Sequence, residues 1–349
     1  MEMEYAEGFR MFTYDNFVEI EIRNTSPGSD EIFRYALIDR VEAASITLNK
    51  DEYDGIILTP VQALVVTSTT HIPSLELLGV EDRLKGFPGS DYISSERTRK
   101  LVKDGQVREL GSNEGINTEV LIDINPEVLV GFSVNGRNRS YESAKKAGVT
   151  VLLNGDWVES DPLAKAEWIK FFGALFQKES LADSIFKNIR DDYNKAVNIA
   201  ENAGSKPVVM SGAMYKDIWY LPAGSSPEAK ILKDANVDYI WSDSEGTGSL
   251  SLSFETVFNR AKEADIWISP SNFKSKQDLL NSNERYGEFK PFKTGQIYSF
   301  TNVTGETGGI RYYELGIARP DLVLKDIIKI CHPELLPHYQ TFFFKTLPE

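Results

Sequence analysis

The sequence predicts an α/β protein built from two Rossmann-like lobes with parallel sheets, joined by a single long α-helix, with a β-rich amino-terminal segment. Three observations carry that expectation. From about residue 60 short apolar strands alternate with helical stretches; the same grammar resumes after residue 207; and one long amphipathic helix separates the two runs. Strands alternating with helices imply parallel sheets covered on both faces. The chain divides accordingly into residues 1–56, an amino-terminal lobe over 57–175, a linking helix over 176–204 and a carboxy-terminal lobe over 205–349.

Residues 5–58 read as β-rich. Val18, Ile20 and Ile22 alternate with Glu19 and Glu21, which is the period of a half-buried strand, and residues 24–30 carry Pro-Gly-Ser turn chemistry before a returning strand over Glu31–Ile38. The segment is too short for its own core and is expected to pack on the first lobe.

In the first lobe, Val61–Val66 is an apolar strand that ends in Thr67-Ser68-Thr69-Thr70-His71, and a helix through Leu75, Leu77 and Leu78 closes at Gly79. Pro126–Phe132 is a buried strand, Tyr141–Ala147 a helix closed by Gly148, and Val149–Leu153 a further strand. Leu181, Ile185, Ile189, Tyr193, Ala196 and Ala200 then recur at spacings of four and three, opposite Lys187, Arg190, Asp191 and Lys195. Extended to Ala203, that helix is roughly 35 Å long at 1.5 Å per residue.

The second lobe repeats the pattern. Pro207–Ser211 corresponds to the first strand, Ala229–Asn236 to the following helix, and Ile266–Ile268 and Gln296-Ile297-Tyr298 to later strands. Asn117-Thr118-Glu119 and Ser253-Phe254-Glu255 each set a capping residue ahead of a glutamate and a helix. Two lobes related by duplication account for more of the chain than a single domain does.

Composition excludes several function classes. The charge sum of 38 minus 52 gives −14 and a pI near 4.9, without the basic footprint that a nucleic acid requires. One cysteine, Cys331, rules out an internal disulfide framework. No apolar run reaches the roughly 18 residues of a membrane span. Gly-x-Ser-x-Gly, Walker, Gly-x-Gly-x-x-Gly and His-Glu-x-x-His motifs are all missing, so the chain is expected not to be an enzyme. A carboxylate-dependent hydrolase is arithmetically open, but no spacing selects a pair. Cys331, His332 and His338 offer metal ligands only superficially, because Pro333 and Pro337 break the segment. No cofactor and no metal site are expected.

In parallel sheets ligands lie outside the carboxyl ends of strands, so the loops there hold the candidates. Those loops run over residues 68–71, 133–139 and 154–157 in the first lobe, and over 213–220, 242–249, 271–273 and 301–313 in the second. Their large or cationic members, taken as ligand-binding candidates, are His71, Arg137, Trp157, Tyr215, Trp219, Tyr220, Arg311 and Tyr312. Arg139 shares a polar loop with Arg137, while Trp168, Trp241 and Trp267 lie in elements and read as core. The Gly308-Gly309 pair brings backbone close to a ligand or a neighbouring segment.

The order of these segments resembles a known family. The Thr-His loop, Gly79-Val80-Glu81, Glu119 ahead of Asn125-Pro126-Glu127-Val128-Leu129-Val130, and Ala147-Gly148-Val149 resemble the amino-terminal lobe of class III periplasmic substrate-binding proteins. Asp161-Pro162-Leu163 to Glu167-Trp168-Ile169, Trp219-Tyr220, Ala264–Ile268 and His332–Pro337 are similar to its lipoprotein branch in Bacteroides-type bacteria. The resemblance covers residues 57–349 and explains residues 1–56 least. It implies a cleft binder of ferric siderophores, haem or cobalamin that delivers its ligand to the permease of an ABC importer, with Glu119 and Glu255 docking on that permease. It further implies a monomer in the periplasm or cell envelope, lipid-anchored through a cysteine that precedes Met1. The alternative on the same scaffold is a binder of a metal ion or another small solute.

Overall fold

The computed structural model describes residues 3–23, 25–26, 28–132 and 138–349. Four strands, Phe9–Thr13, Phe17–Arg23, Ile32–Asp39 and Gly55–Thr59, form the amino-terminal sheet in sequence order. The first three are antiparallel and the fourth runs parallel to the third, so this sheet extends three residues beyond the division expected at residue 56. It packs on the first lobe, with the Tyr35 hydroxyl donating to the Val151 carbonyl at 3.0 Å.

The first lobe is a parallel sheet in the order Thr150–Leu153, Val128–Gly131, Leu64–Val66, Leu84–Phe87, Arg108–Glu109. In the second lobe the order is Asp238–Tyr239, Val208–Ser211, Ile266–Ile268, Ile297–Ser299, with Lys345–Thr346 added antiparallel at the edge. Numbered along each lobe, both sheets place the first strand between the second and the strand that begins the return half. Each therefore has a topological switch point, beside Leu64–Val66 in one lobe and beside Val208–Ser211 in the other. The expected α/β architecture of two parallel-sheet lobes is what the structure has.

The linking helix spans Glu179–Ala200. Its buried stripe is Ala182, Phe186, Ile189, Tyr193, Ala196 and Ala200. Leu181, expected on that stripe, is 42% exposed, and Ile185 is only partly covered. Three consecutive steps of four residues drift around a 3.6-residue helix, whereas alternating steps of four and three hold one face. The stripe serves two cores in turn: Ala182, Phe186 and Ile189 belong to the first lobe's, and Tyr193, Ala196 and Ala200 to the second's. No helix among the described residues is long and apolar enough to cross a membrane.

Buried carboxylates tie the chain ends to this frame. Glu167 accepts the N–H groups of Glu4, Tyr5 and Ala6 at 2.8–2.9 Å, and Glu159 accepts Gly8 N–H at 2.9 Å and the Trp168 indole at 3.0 Å. At the other end Asp326 accepts the N–H groups of Phe342, Phe343 and Phe344. Charge-assisted bonds of this kind are the strong ones, and they immobilise termini that otherwise fray.

Candidate functional site

The second lobe carries a cavity of about 260 Å³ at its switch point. Ser211, Gly212 and Ala213 enter it from one strand end, Ile268, Ser269 and Ser271 from the next, and Phe300 from the third. The stretch expected to be a loop over 213–220 is instead a hairpin, Ala213–Tyr215 with Ile218–Pro222, which pairs onward with Ser249–Leu252. Strand alternation then decides which side chains reach the cavity. Tyr220 faces out and lines it with Tyr215 from across the turn, while Trp219 is turned into the core and is not part of the lining.

Trp219 is accordingly corrected from ligand contact to floor support. It is fully buried, its ring 5.7 Å from that of Trp267, and its indole N–H donates to the Ser211 carbonyl at 3.0 Å. Trp267 donates to the Gly212 carbonyl at 2.8 Å. The two indoles thus fix the backbone under the cavity. Gly212 has φ +77°, and a Cβ there would collide with the Tyr220 carbonyl. Ser269 and Ser271 also have left-handed φ, 56° and 53°. Such conformations are rare outside glycine and gather where a surface is built for a ligand.

Tyr312 closes the aromatic wall. Its ring stacks on Phe300 at 4.2 Å and 11°, with Tyr313 edge-on to Phe300 at 5.2 Å. Desolvation and the charge of Glu228 push the Tyr312 phenol well above its ordinary range, so it acts as a neutral donor. Arg311, expected beside it, stands over the Phe342 ring at 5.2 Å and is not among the cavity's lining residues. The five-residue helix Arg311–Leu315 that carries Tyr312 packs on residues 69–77 of the first lobe. The carboxyl rims of the two sheets therefore meet.

The first lobe's rim has a different chemistry. The Asn154 side-chain oxygen accepts Asp156 N–H at 2.8 Å, while its amide nitrogen is buried without a partner among the described residues. Burial pushes the Asp156 carboxyl up to about 6, against the opposing pull of Lys165 and a hydrogen bond from Thr70. Trp157 is half-buried, and its indole N–H has no partner among the described residues. His71 is corrected from cleft edge to interior: it is fully buried, 5.6 Å from the Phe172 ring, both nitrogens lack a partner among the described residues, and burial holds its pKa down at about 3. The side chain points back under the loop because His71 ends a 3₁₀ turn that runs straight into the helix Ile72–Leu77. Buried polar atoms without partners cost about 1–3 kcal/mol each, so three such residues near one strand-end rim call for an explanation.

Tyr215, Tyr220 and Tyr312 are thus brought together, Trp157 and His71 lie on the other lobe, and Arg137 lies outside the described residues. Phe300, the serine hydroxyls, Asn154 and Asp156 were not singled out from the sequence. Their only signal there is position, directly after a strand. Glu119 and Glu255 are both exposed in the first turns of helices capped by Asn117 and Ser253, and Glu255 also pairs with Arg285 at 3.1 Å. His332 is buried with Nε2 3.1 Å from the Ala235 carbonyl, and burial pushes the neighbouring Cys331 thiol up to about 12. Both are packing residues.

Residues 64–304, both lobes and the linking helix, match the model of the periplasmic binding protein family. The chain belongs to that family. An uncharacterized lipoprotein of Methanocaldococcus jannaschii is 28% identical over 98% of this chain and 84% of its own length. Among solved structures, a possible iron-binding (periplasmic solute-binding) protein of Staphylococcus epidermidis is similar with a TM-score of 0.61 at 19% identity, over 78% of this chain and 100% of its own. A periplasmic haem-binding protein of Vibrio cholerae gives 0.56 at 14% identity, over 75% and 99%. These likenesses establish the fold of a periplasmic binding protein. The amino-terminal sheet lies outside the matched segment, as the resemblance in sequence implied.

Proposed function

We propose that this periplasmic binding protein captures an iron chelate, either a ferric siderophore or haem, or a corrinoid such as cobalamin, between its two rims and delivers it to the permease of an ABC importer. The observation that carries this reading is the cavity at the second lobe's switch point, with Tyr215, Tyr220, Phe300 and Tyr312 as walls and serine hydroxyls between them. Rings bury large apolar area and hydroxyls answer carbonyl or hydroxamate oxygens, which suits a bulky chelate edged with oxygen. At about 260 Å³ the cavity holds one arm or edge of such a ligand, and the remainder lies against the opposite rim, where the half-buried Trp157 offers an indole N–H with no partner among the described residues. Rings and hydroxyls dominate this wall, with Glu228 its one carboxylate among the described residues, which favours a chelate over a bare ion. The iron and haem ligands in the names of the structural neighbours, and the lipoprotein name of the archaeal relative, support the ligand class and a lipid anchor in the cell envelope.

Glu119 and Glu255 serve as docking carboxylates, one per lobe, each exposed at a helix start where the dipole favours negative charge. The test is a fluorescence titration with a ferric hydroxamate, haem and cobalamin. Trp219 and Trp267 lie directly beneath the cavity, so the class that binds quenches tryptophan emission in a saturable way. Silence across all three probes rejects the ligand class. Charge reversal at Glu119 and Glu255 together leaves that quenching intact and stops uptake; undiminished uptake rejects the docking role.

A further inference from the structure

The second-lobe cavity has a sign of charge as well as a shape. Among the described residues none that lines it is a lysine, arginine or histidine, and Glu228 is its one carboxylate. The rest of the polar wall is ring and hydroxyl. The Phe300, Tyr312 and Tyr313 rings pack together, and Tyr215 and Tyr220 stand on the hairpin. Ring faces carry partial negative charge, so they attract cations.

A helix start beside the strand ends ordinarily offers a positive end to an anion. Here the helix Pro227–Asp234 begins at the cavity, which Glu228, Ile231 and Leu232 line. The chain itself already answers that positive end. The Ser226 hydroxyl accepts Ala229 N–H at 3.1 Å, Pro227 has no N–H to offer, and the Glu228 carboxylate stands in the first turn. Glu228 is exposed, within reach of an entering ligand. Its field extends to the aromatic wall: burial first, and then the charge of Glu228, push the phenols of Tyr312 and Tyr239 above their ordinary range.

Neighbouring cations are engaged elsewhere. Lys230 pairs with Asp234 at 3.0 Å, and Arg311 stands over the Phe342 ring. Lys216, on the hairpin turn, lies over the Tyr215 ring at 5.5 Å, so one ring of this wall already carries a cation.

We propose that this cavity selects its ligand by charge: it prefers a cationic arm over a neutral one and rejects an anionic one, with Glu228 as the residue that sets the preference. The inference rests on the cavity being the ligand site proposed above, and it divides that ligand class. A chelate that leads with an amine fits; one that leads with a carboxylate does not. An ammonium entering the cavity meets ring faces, hydroxyl oxygens and a carboxylate. An anion entering it loses water, gains no cation and faces Glu228.

A nuclear magnetic resonance titration of the full chain at pH 7, read at the Ser269 and Ser271 amides in the cavity lining, tests this with benzylammonium, benzyl alcohol and phenylacetate. No chelate enters the test, so its outcome is separate from that of the transport reading. Benzylammonium should bind about fivefold more tightly than benzyl alcohol, the size of an exposed ion pair joined to a cation–π contact. Phenylacetate should bind at least about tenfold more weakly than the alcohol. Glu228→Gln should bring benzylammonium to within about twofold of the alcohol, and the order of the three probes on the wild type decides the matter if that variant does not fold. Phenylacetate bound as tightly as benzylammonium, a preference unaltered by Glu228→Gln, or no saturable shift with any of the three overturns the proposal.

Discussion

The two lobes share a topology and differ at the rim. Around Val208–Ser211 the strand ends present rings: Tyr215, Tyr220, Phe300 and Tyr312 enclose an open cavity over a rigid tryptophan floor. Around Leu64–Val66 and Thr150–Leu153 the loops carry polar groups instead, namely Thr70, Asn154, Asp156 and the Trp157 indole, with Asn154 Nδ2 and the indole N–H without partners among the described residues. Duplication of a fold therefore duplicates the place where a ligand is met and leaves the contacts free to diverge. On the proposed reading, one lobe would offer buried area for affinity and the other a directional donor for orientation.

This contrast can be broken in graded steps. Removing the rings is expected to do most. Tyr215→Ala with Tyr220→Ala should weaken the bound probe by about 30- to 150-fold, from ~1 to 1.5 kcal/mol per ring, with little change in stability because both side chains reach the surface, at 65% and 40% exposure. An equal loss in denaturant stability would mean that the rings serve the fold. Trp157→Phe keeps the ring and deletes one donor, so affinity should fall about fivefold, the size of one hydrogen bond. No change in titration would leave the first lobe without a directional role.

The smallest effect on binding is expected at His71. His71→Leu should leave affinity within about twofold and raise unfolding free energy by about 1–2 kcal/mol, because two unpartnered buried nitrogens disappear. The wild-type histidine is neutral and buried, with its pKa lowered to about 3, so its contribution is whole above pH 6.5 and is lost as pH falls from there toward 3. The leucine variant should lose less stability than wild type between pH 6.5 and 4.5 by urea unfolding. A marked drop in affinity would return His71 to the contact set.

Much of the fold was legible because period and punctuation are local. The Thr150–Leu153, Val208–Ser211 and Ile266–Ile268 strands and the start of the linking helix at Glu179 all lie where apolar runs and caps put them. What was not legible depends on direction. Trp219 and Tyr220 are neighbours in one strand and point to opposite faces, and nothing in the pair itself says which one meets the core. The hairpin that orients them needs its third strand, Ser249–Leu252, from thirty residues away. Similarly, Gly308-Gly309 signalled a close approach, but its partner, the Tyr92 backbone of the other lobe, is visible only in three dimensions.

The most direct test of capture between unlike rims is hydrogen exchange on the protein saturated with whichever of ferric hydroxamate, haem or cobalamin quenches its fluorescence. Amides over 154–157 and over 211–220 should slow together and to a similar occupancy curve, reporting one ligand that touches both lobes. Slowing confined to 211–220, with 154–157 exchanging as in the free protein, would show a ligand held by the aromatic cavity alone and would contradict capture by both rims.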